Sequence, residues 1–420
     1  MAALSLFLDV PLGREAHELR DAYLADECPD KVFLDDQACL AESGRAWSSP
    51  AVLRALRQLA GDPTLDHEEP PGEGVAAFTG AAAELVLGRR SGALLQNRAA
   101  GVQTVGGTGA LWLGARFLRR WYPAGQLAPA RVYLAWPRWD HYRRVFADAG
   151  FTDLRPYSWW DDAARAASPR GLLRLLRDAP ERCIVLLHAP EESGLAPEQW
   201  EEVAAAMERK RAFPFFDVSA QGLASGDLDR DAWALRLFVA RGFELFCAQS
   251  FSKIFGLYDH RVGNLIAVTA DAEALLGVRS QLRRLAAAAW AGPPGLGARA
   301  VAAVLSGPAL RSAWERSLRL LARRIVRVRR ELKRWLRVLG TPGSWEHITA
   351  QAGTRSFSGL LPAQVAFLAE HEHVYLGAGG QLSLCSLNAR NLERVARSIR
   401  AAVLAPGLDA PAAGPPAPLQ

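Results

Sequence analysis

The sequence predicts an α/β fold, with a mainly parallel sheet covered by helices and a smaller α+β unit behind it. Three observations carry that expectation. Short apolar runs recur at Val132–Trp136, Cys183–His188, Phe213–Phe216, Glu244–Gln249 and Asn264–Val268, and such runs read as strands buried on both faces. Helical patterns, including Pro197–Lys210 and Asp231–Ala240, lie between several of them, the alternation typical of strands joined by crossover helices. Pro293-Pro294-Gly295 and Ser306-Gly307-Pro308 then bracket a change in character.

The length, 420 residues of which 50% are hydrophobic, suffices for a substantial core and for more than one unit. We expect an N-terminal arm with part of a small domain over 1–45. A large domain is expected over 46–305, a small domain over 306–404, and a disordered tail over 405–420. That tail, Ala405 to Gln420, is mostly Pro, Ala and Gly and cannot bury enough surface to order itself. No internal repeat is visible.

After the second break, Trp314, Leu318, Leu321, Ile325, Val328, Leu332, Trp335 and Leu339 recur in alternating steps of four and three. This is one apolar stripe on a long helix. Residues 311–337 also hold ten Arg and one Lys against two Glu. Those cations read as the solvated face of a packed helix rather than a groove for a polyanion. The formal net charge of +6 does not by itself imply nucleic acid, and none is expected as a partner.

The five cysteines, 28, 39, 183, 247 and 385, form no Cys-x-x-Cys pair, and Cys183 and Cys247 lie in apolar runs. Free thiols in a reducing compartment are expected. The apolar start Met1 to Leu8 lacks a basic leader and is cut short by Asp9 and Pro11, which makes a poor signal peptide. No uncharged stretch reaches membrane-spanning length. The expected setting is the cytoplasm, away from membranes.

Lysine is scarce, four residues against 46 arginines, and one of the four is Lys253 in Ser250-Phe251-Ser252-Lys253. Arginine replaces lysine for solubility, but its guanidinium stays protonated and does not attack a carbonyl. Lys253 follows a strand-like run, where an α/β enzyme would keep a reactive amine. A surface loop lysine is the plain alternative.

Gly106-Gly107-Thr108-Gly109 stands between Val102–Val105 and the helical run Ala110–Leu118, where backbone N–H groups and the helix dipole favour a phosphate. A simple turn fits the same string. Asp217 ends the run Phe213–Phe216. Its carboxylate is costly to bury unless it meets a cation or a protonated ring nitrogen, or serves as a cap. Trp139 stacks on a planar ring or belongs to the core. Arg261 suits a phosphate clamp by its forked donors, or is one surface arginine among many.

Together these residues supply a phosphate cradle, a ring stacker, a carboxylate for a pyridine nitrogen and an imine-forming lysine, the set that a pyridoxal phosphate site requires. Ser250-x-x-Lys253 also matches the Ser-x-x-Lys of serine acyl-transfer enzymes. Their downstream Ser-Asp-Asn and Lys-Thr-Gly are absent from the sequence.

From about Val32 to Leu404 the chain resembles the aspartate aminotransferase family, fold-type I pyridoxal phosphate enzymes. The blocks are Gly101–Leu111, Phe213–Asp217, Gln221–Gly226, Arg230–Ala234, Phe246–Lys253, Phe255–Tyr258 and Arg261–Asn264. The resemblance implies a seven-stranded sheet and a transaminase moving an amino group between an amino acid and a 2-oxo acid. It implies a homodimer with sites at the subunit interface. Lys253 would hold pyridoxal 5'-phosphate and carry the proton. Asp217 would hold the ring nitrogen and Trp139 would stack on the ring. Gly107, Thr108, Ser250, Ser252 and Arg261 would surround the phosphate.

The same resemblance marks departures. Gln381 stands where the family arginine clamps the substrate α-carboxylate, and could still donate a neutral hydrogen bond. Ala287 stands where an arginine reaches across the dimer to the distal carboxylate. Ala220 and Glu191 replace donors at the cofactor hydroxyl. Glu69 and Ala291 replace residues at the neighbour's phosphate. Tyr142 replaces a histidine behind Asp217, with His141 beside it, and Gln37 replaces a substrate-side glycine. These departures imply weakened or altered specificity. Another reaction at the α-carbon, such as racemisation, or a silent paralogue kept for binding or dimerisation, remains open at this point.

Overall fold

The computed structural model describes residues 18–35, 39–122, 130–136, 139–161, 163–189, 194–377 and 379–408. The expectations for Met1–Leu8, Gln37, Glu191 and the tail beyond 408 lie outside these residues. Among the described residues the strands run β1 (Val32–Phe33), β2 (Ala99–Val105), β3 (Val132–Trp136), β4 (Leu154–Ser158), β5 (Trp160–Asp161), β6 (Ala166–Ala167) and β7 (Ile184–His188). They continue as β8 (Phe213–Val218), β9 (Leu245–Ser250), β10 (Val262–Val268), β11 (Arg355–Phe357), β12 (Val374–Tyr375) and β13 (Gln381–Ser383).

Seven of them form one sheet in the order β2-β10-β9-β8-β7-β3-β4. Only β10 runs against its neighbours, and the pairs β8–β9, β7–β8, β3–β7 and β3–β4 are parallel. Because β10 opposes both β2 and β9, the six other strands share one direction, and all six end at one edge of the sheet. In an open α/β sheet that carboxyl edge is where ligands bind.

The five expected runs are the interior strands, buried on both faces, and their bounds agree with the sequence to within two residues. The two edge strands were not among them. β4 contains Arg155 and Pro156, and proline is tolerated where the N–H faces out of the sheet. β2 carries Gln103 and Thr104. Gln103 is fully buried, accepting from Val75 N at 2.9 Å and donating to Pro294 O at 2.8 Å.

Buried apolar residues fall into two clusters. One coats the sheet and the helices packed on it. The other gathers the helices Pro50–Ala60, Ala76–Leu87 and Gly295–Ser306 around the long helix Pro308–Val338, with β12, β13 and the helix Leu392–Leu404. In the long helix Trp314, Leu318, Leu321, Ile325, Val328 and Leu332 are buried as expected. At its end Leu336 is buried while Trp335 is half-buried, since a straight helix of 3.6 residues per turn drifts against a seven-residue pattern.

The basic face is not wholly solvated. Arg329 is 3% exposed and turns inward. It donates to the backbone oxygens of Ile348 (2.9 Å), Ala352 (2.8 Å), Gly353 (2.8 Å) and Arg355 (2.5 Å), and to Ser356 Oγ at 3.2 Å. Five acceptors around one planar cation satisfy a charge that would otherwise be costly to bury.

The cysteines also depart from the expectation of free thiols throughout. Cys28, Cys183 and Cys247 are free thiols, but Cys39 and Cys385 are joined, with Cα atoms 4.4 Å apart and 346 residues between them. The cause is tertiary. Leu40 N donates to Cys385 O at 3.0 Å and Ser383 N to Leu34 O at 2.6 Å, which lays the two segments side by side. No local spacing signals that. Burial pushes the Cys183 thiol up to about 11 and also raises that of Cys247 well above its ordinary value.

Two expected results follow from the fold. The helix Gly106–Trp121 lies so close to the sheet that a Cβ on Gly114 would sit 2.4 Å from Phe215 Cζ. Gly114→Ala should therefore lose about 1–3 kcal/mol to overpacking, read as a lowered melting temperature. Asp26 accepts from Cys28 N (2.8 Å), Tyr375 Oη (2.7 Å) and His373 Nδ1 (2.8 Å). These bonds, the Cys28 amide foremost, hold its carboxyl down at about 2, against an ordinary 3.8. The stability that Asp26 contributes is present above the ordinary value and is lost as pH falls toward 2. Asp26→Asn should melt lower than the wild type at neutral pH, and the gap should close in acid. A gap that widens on acidification would contradict this.

Candidate active site

The carboxyl edge of the sheet collects the residues singled out in the sequence. β2 ends at Val105 and passes directly into the helix Gly106–Trp121. No side chain caps that helix, so its first N–H groups keep their capacity for an anion. A Cβ on Gly107 would lie 2.9 Å from Ser250 Cβ, and one on Gly106 would lie 3.2 Å from the Arg261 guanidinium. Gly106, with φ at 69°, also donates its N–H to Arg261 O at 2.6 Å.

Helix start, Ser250 and Arg261 thus approach one another so closely that glycines at 106 and 107 leave the room they need. Arg261 is held in the left-handed region at φ 49°, a conformation that costs a non-glycine residue energy and persists where the surroundings enforce it.

β9 ends at Ser250, level with Gly263 of β10. The short helix Ser252–Phe255 follows at once, and it carries Lys253, 5% exposed. Lys253 Nζ donates to Thr354 Oγ1 at 3.1 Å.

On the next strand Asp217 is level with Ala248 of β9 and with His188 of β7. It is 5% exposed and accepts from Tyr142 Oη at 2.8 Å. The tyrosine therefore supplies a donor to this carboxylate from the helix Trp139–Asp148. Trp139 opens that helix beyond the end of β3 and is half-buried against the sheet core.

Ala220 is fully buried and offers no hydroxyl. Ala287 is exposed on the helix Ala272–Trp290. Glu69 is exposed, and a Cβ on Gly292 would sit 2.6 Å from its Cγ. Glu69 and the segment around Ala291 therefore form one patch, and Ala291 is itself left-handed at φ 56°. Gln381 opens β13, opposite Phe357 of β11, and is 5% exposed.

Three residues near this edge were missed in the sequence. His188 is buried and shares Asp217's level on the neighbouring strand. Only its place at the end of an apolar run could have flagged it. Thr354 and Arg355 are brought in by the segment that Arg329 holds, and no local pattern marks them.

An uncapped helix start beside an arginine fits a phosphate dianion. A buried carboxylate with a hydrogen-bond donor behind it fits a protonated ring nitrogen. A buried amine within the same edge fits an aldehyde. The donor set matches pyridoxal phosphate.

A sequence model of the family described as aminotransferase class I and II matches residues 29–399. The chain belongs to that family. It is 44% identical over 407 residues to the cytoplasmic aspartate aminotransferase of Gallus gallus, covering 96% of this chain and 99% of that protein. It is 39% identical to the Bos taurus protein named "Putative aspartate aminotransferase, cytoplasmic 2", covering 96% and 98%. Among solved structures, it is 34% identical to the aspartate aminotransferase from Saccharomyces cerevisiae cytoplasm. The TM-score is 0.89, with 95% of this chain and 98% of that chain covered. The same identity and TM-score hold for the aromatic-amino-acid aminotransferase of Burkholderia pseudomallei, solved covalently bound to pyridoxal phosphate, covering 95% and 100%. Among the described residues no helix is long and apolar enough to cross a membrane.

Proposed function

We propose that this chain is a pyridoxal phosphate-dependent aminotransferase of the aspartate type, acting in the cytoplasm as a homodimer. One observation carries the reading: a buried primary amine and a buried carboxylate stand at the same edge of a mainly parallel sheet, beside an uncapped helix start and Arg261. The division into a large domain over 46–305 and a small one over 306–404 is part of the proposal.

Each residue has a distinct task. Gly107 and Thr108 present backbone N–H groups to the phosphate, Ser250 and Ser252 add hydroxyls, and Arg261 adds a cation. Asp217 keeps the ring nitrogen protonated, with its orientation fixed by the Tyr142 hydroxyl. Trp139 covers one face of the ring. Lys253 provides the amine that secures the cofactor and, once released, moves a proton at the substrate α-carbon. The bound cofactor supplies the electron sink that lets that α-carbon give up its proton.

Substrate selection is the weaker part. Removing one partner of a desolvated charge pair costs about 2–5 kcal/mol, and two arginines of the resembled site are here Gln381 and Ala287. We propose that aspartate and glutamate are handled poorly.

The test is an absorbance spectrum of the purified protein with pyridoxal phosphate, followed by single-turnover mixing with amino acids. Conversion of the cofactor to its amine form, reversed by a 2-oxo acid, supports transamination. Loss of substrate chirality without that conversion supports racemisation instead. A spectrum that does not respond to any amino acid means a silent binding protein.

A further inference from the structure

We propose that Arg355 binds the substrate's carboxylate, working with Gln381 and reaching it from the neighbouring strand. The inference rests on the aminotransferase reading and names the substrate group that its site holds.

Four observations support it. First, the residue before Arg355 touches the reacting amine. Lys253 Nζ donates to Thr354 Oγ1 at 3.1 Å, and Arg355 is the next residue. Second, Arg355 and Gln381 share a face of the β11–β13 pair, where Arg355 is level with Ser383 and Phe357 with Gln381. Arg355 Nη1 donates to Gln381 Oε1 at 3.3 Å. Third, the Arg355 side chain is 8% exposed, so its charge is largely withdrawn from water and its interactions are strong.

Fourth, the donors are not used up. Of five guanidinium N–H groups, Arg355 commits one to Asp35 Oδ1 at 2.6 Å, one to Asp35 O at 3.0 Å and one to Gln381 Oε1. Nε and the second hydrogen of Nη2 have no partner among the described residues. These two form the fork that matches a carboxylate. The Gln381 amide nitrogen likewise donates to no described residue. The unused N–H groups of Arg355 and Gln381 suit a ligand that accepts.

The plain alternative is that Arg355 is a staple, tying the segment after β1 to β11 through Asp35. Both partners would then be sufficient for each other. The unused fork argues against that, and it makes the two readings separable.

Because the anchor is a single guanidinium and position 287 is alanine, the substrate class is an amino acid with one carboxylate and an uncharged side chain, together with the matching 2-oxo acid.

The experiment is calorimetric titration of the protein, with pyridoxal phosphate added, by pyruvate and by its uncharged amide. The wild type should bind pyruvate more tightly than the amide. Arg355→Leu, checked for folding by circular dichroism, should lose about 30-fold or more in pyruvate affinity and should no longer distinguish the two. Asp35→Asn removes the charge that pairs with the guanidinium but keeps Arg355, so it should bind pyruvate at least as tightly as the wild type.

The proposal is overturned if the wild type shows no preference for the carboxylate. It is also overturned if folded Arg355→Leu keeps that preference, or if Asp35→Asn loses it as fully as Arg355→Leu does. A preference that depends on Arg355 in a protein whose cofactor is unchanged by amino acids would sink the transaminase reading and leave this one standing.

Discussion

Lys253→Ala should abolish amino-group transfer, with a fall in single-turnover rate of more than about 10⁴-fold. Two tasks disappear together. The cofactor loses the amine that secures it, and the α-carbon loses the group that moves its proton. Lys253→Arg sharpens the test. It keeps a positive charge in a buried position, yet guanidinium stays protonated and neither attacks a carbonyl nor accepts a proton. We expect the two variants to be equally inactive, while both stay folded by circular dichroism. The cofactor's absorbance in the wild type should move toward that of free pyridoxal phosphate in both. Residual transfer within tenfold of the wild type in either variant would exclude Lys253 from the chemistry.

Asp217→Ala should lower both cofactor affinity and turnover, by about 30-fold to several thousand-fold, the range expected when one member of a desolvated charge pair is removed. The loss should fall more heavily on turnover than on binding. The phosphate end keeps its contacts, whereas the ring nitrogen loses the carboxylate that keeps it protonated. Tyr142→Phe is the graded control. It keeps the ring and removes the hydroxyl that donates to Asp217 at 2.8 Å, a bond worth about 1–3 kcal/mol when a buried acceptor is left short. A Tyr142→Phe variant as damaged as Asp217→Ala would mean that the tyrosine acts directly rather than through the carboxylate.

How much of this was legible in the sequence depends on where the information sits along the chain. The interior strands were legible because burial on both faces leaves an unbroken apolar run, as in Ile184–His188. The edge strands were not, because β4 tolerates Arg155 and Pro156 on its open side. Lys253, Asp217 and the glycines were conspicuous because each stands at the end of a strand-like run, and parallel strands end together.

Arg355 lay beyond reach. Its contact with Asp35 spans 320 residues, and the preceding Thr354 meets Lys253 across 101 residues. The joining of Cys39 to Cys385 was hidden for the same reason. Gln381 is plain in the sequence, but the arginine that donates to it from the neighbouring strand becomes visible only when the strands are paired.

Arg329 gives the long helix a purpose beyond packing. One rigid plane holds five oxygens between Ile348 and Ser356, so the stretch bearing Thr354 and Arg355 has little freedom of its own. Helix and stretch should travel as one lever. A tilt of the helix anywhere along its 31 residues would carry the carboxylate anchor toward the amine or away from it. Lysine, with three donors on a flexible stem, could not transmit that movement.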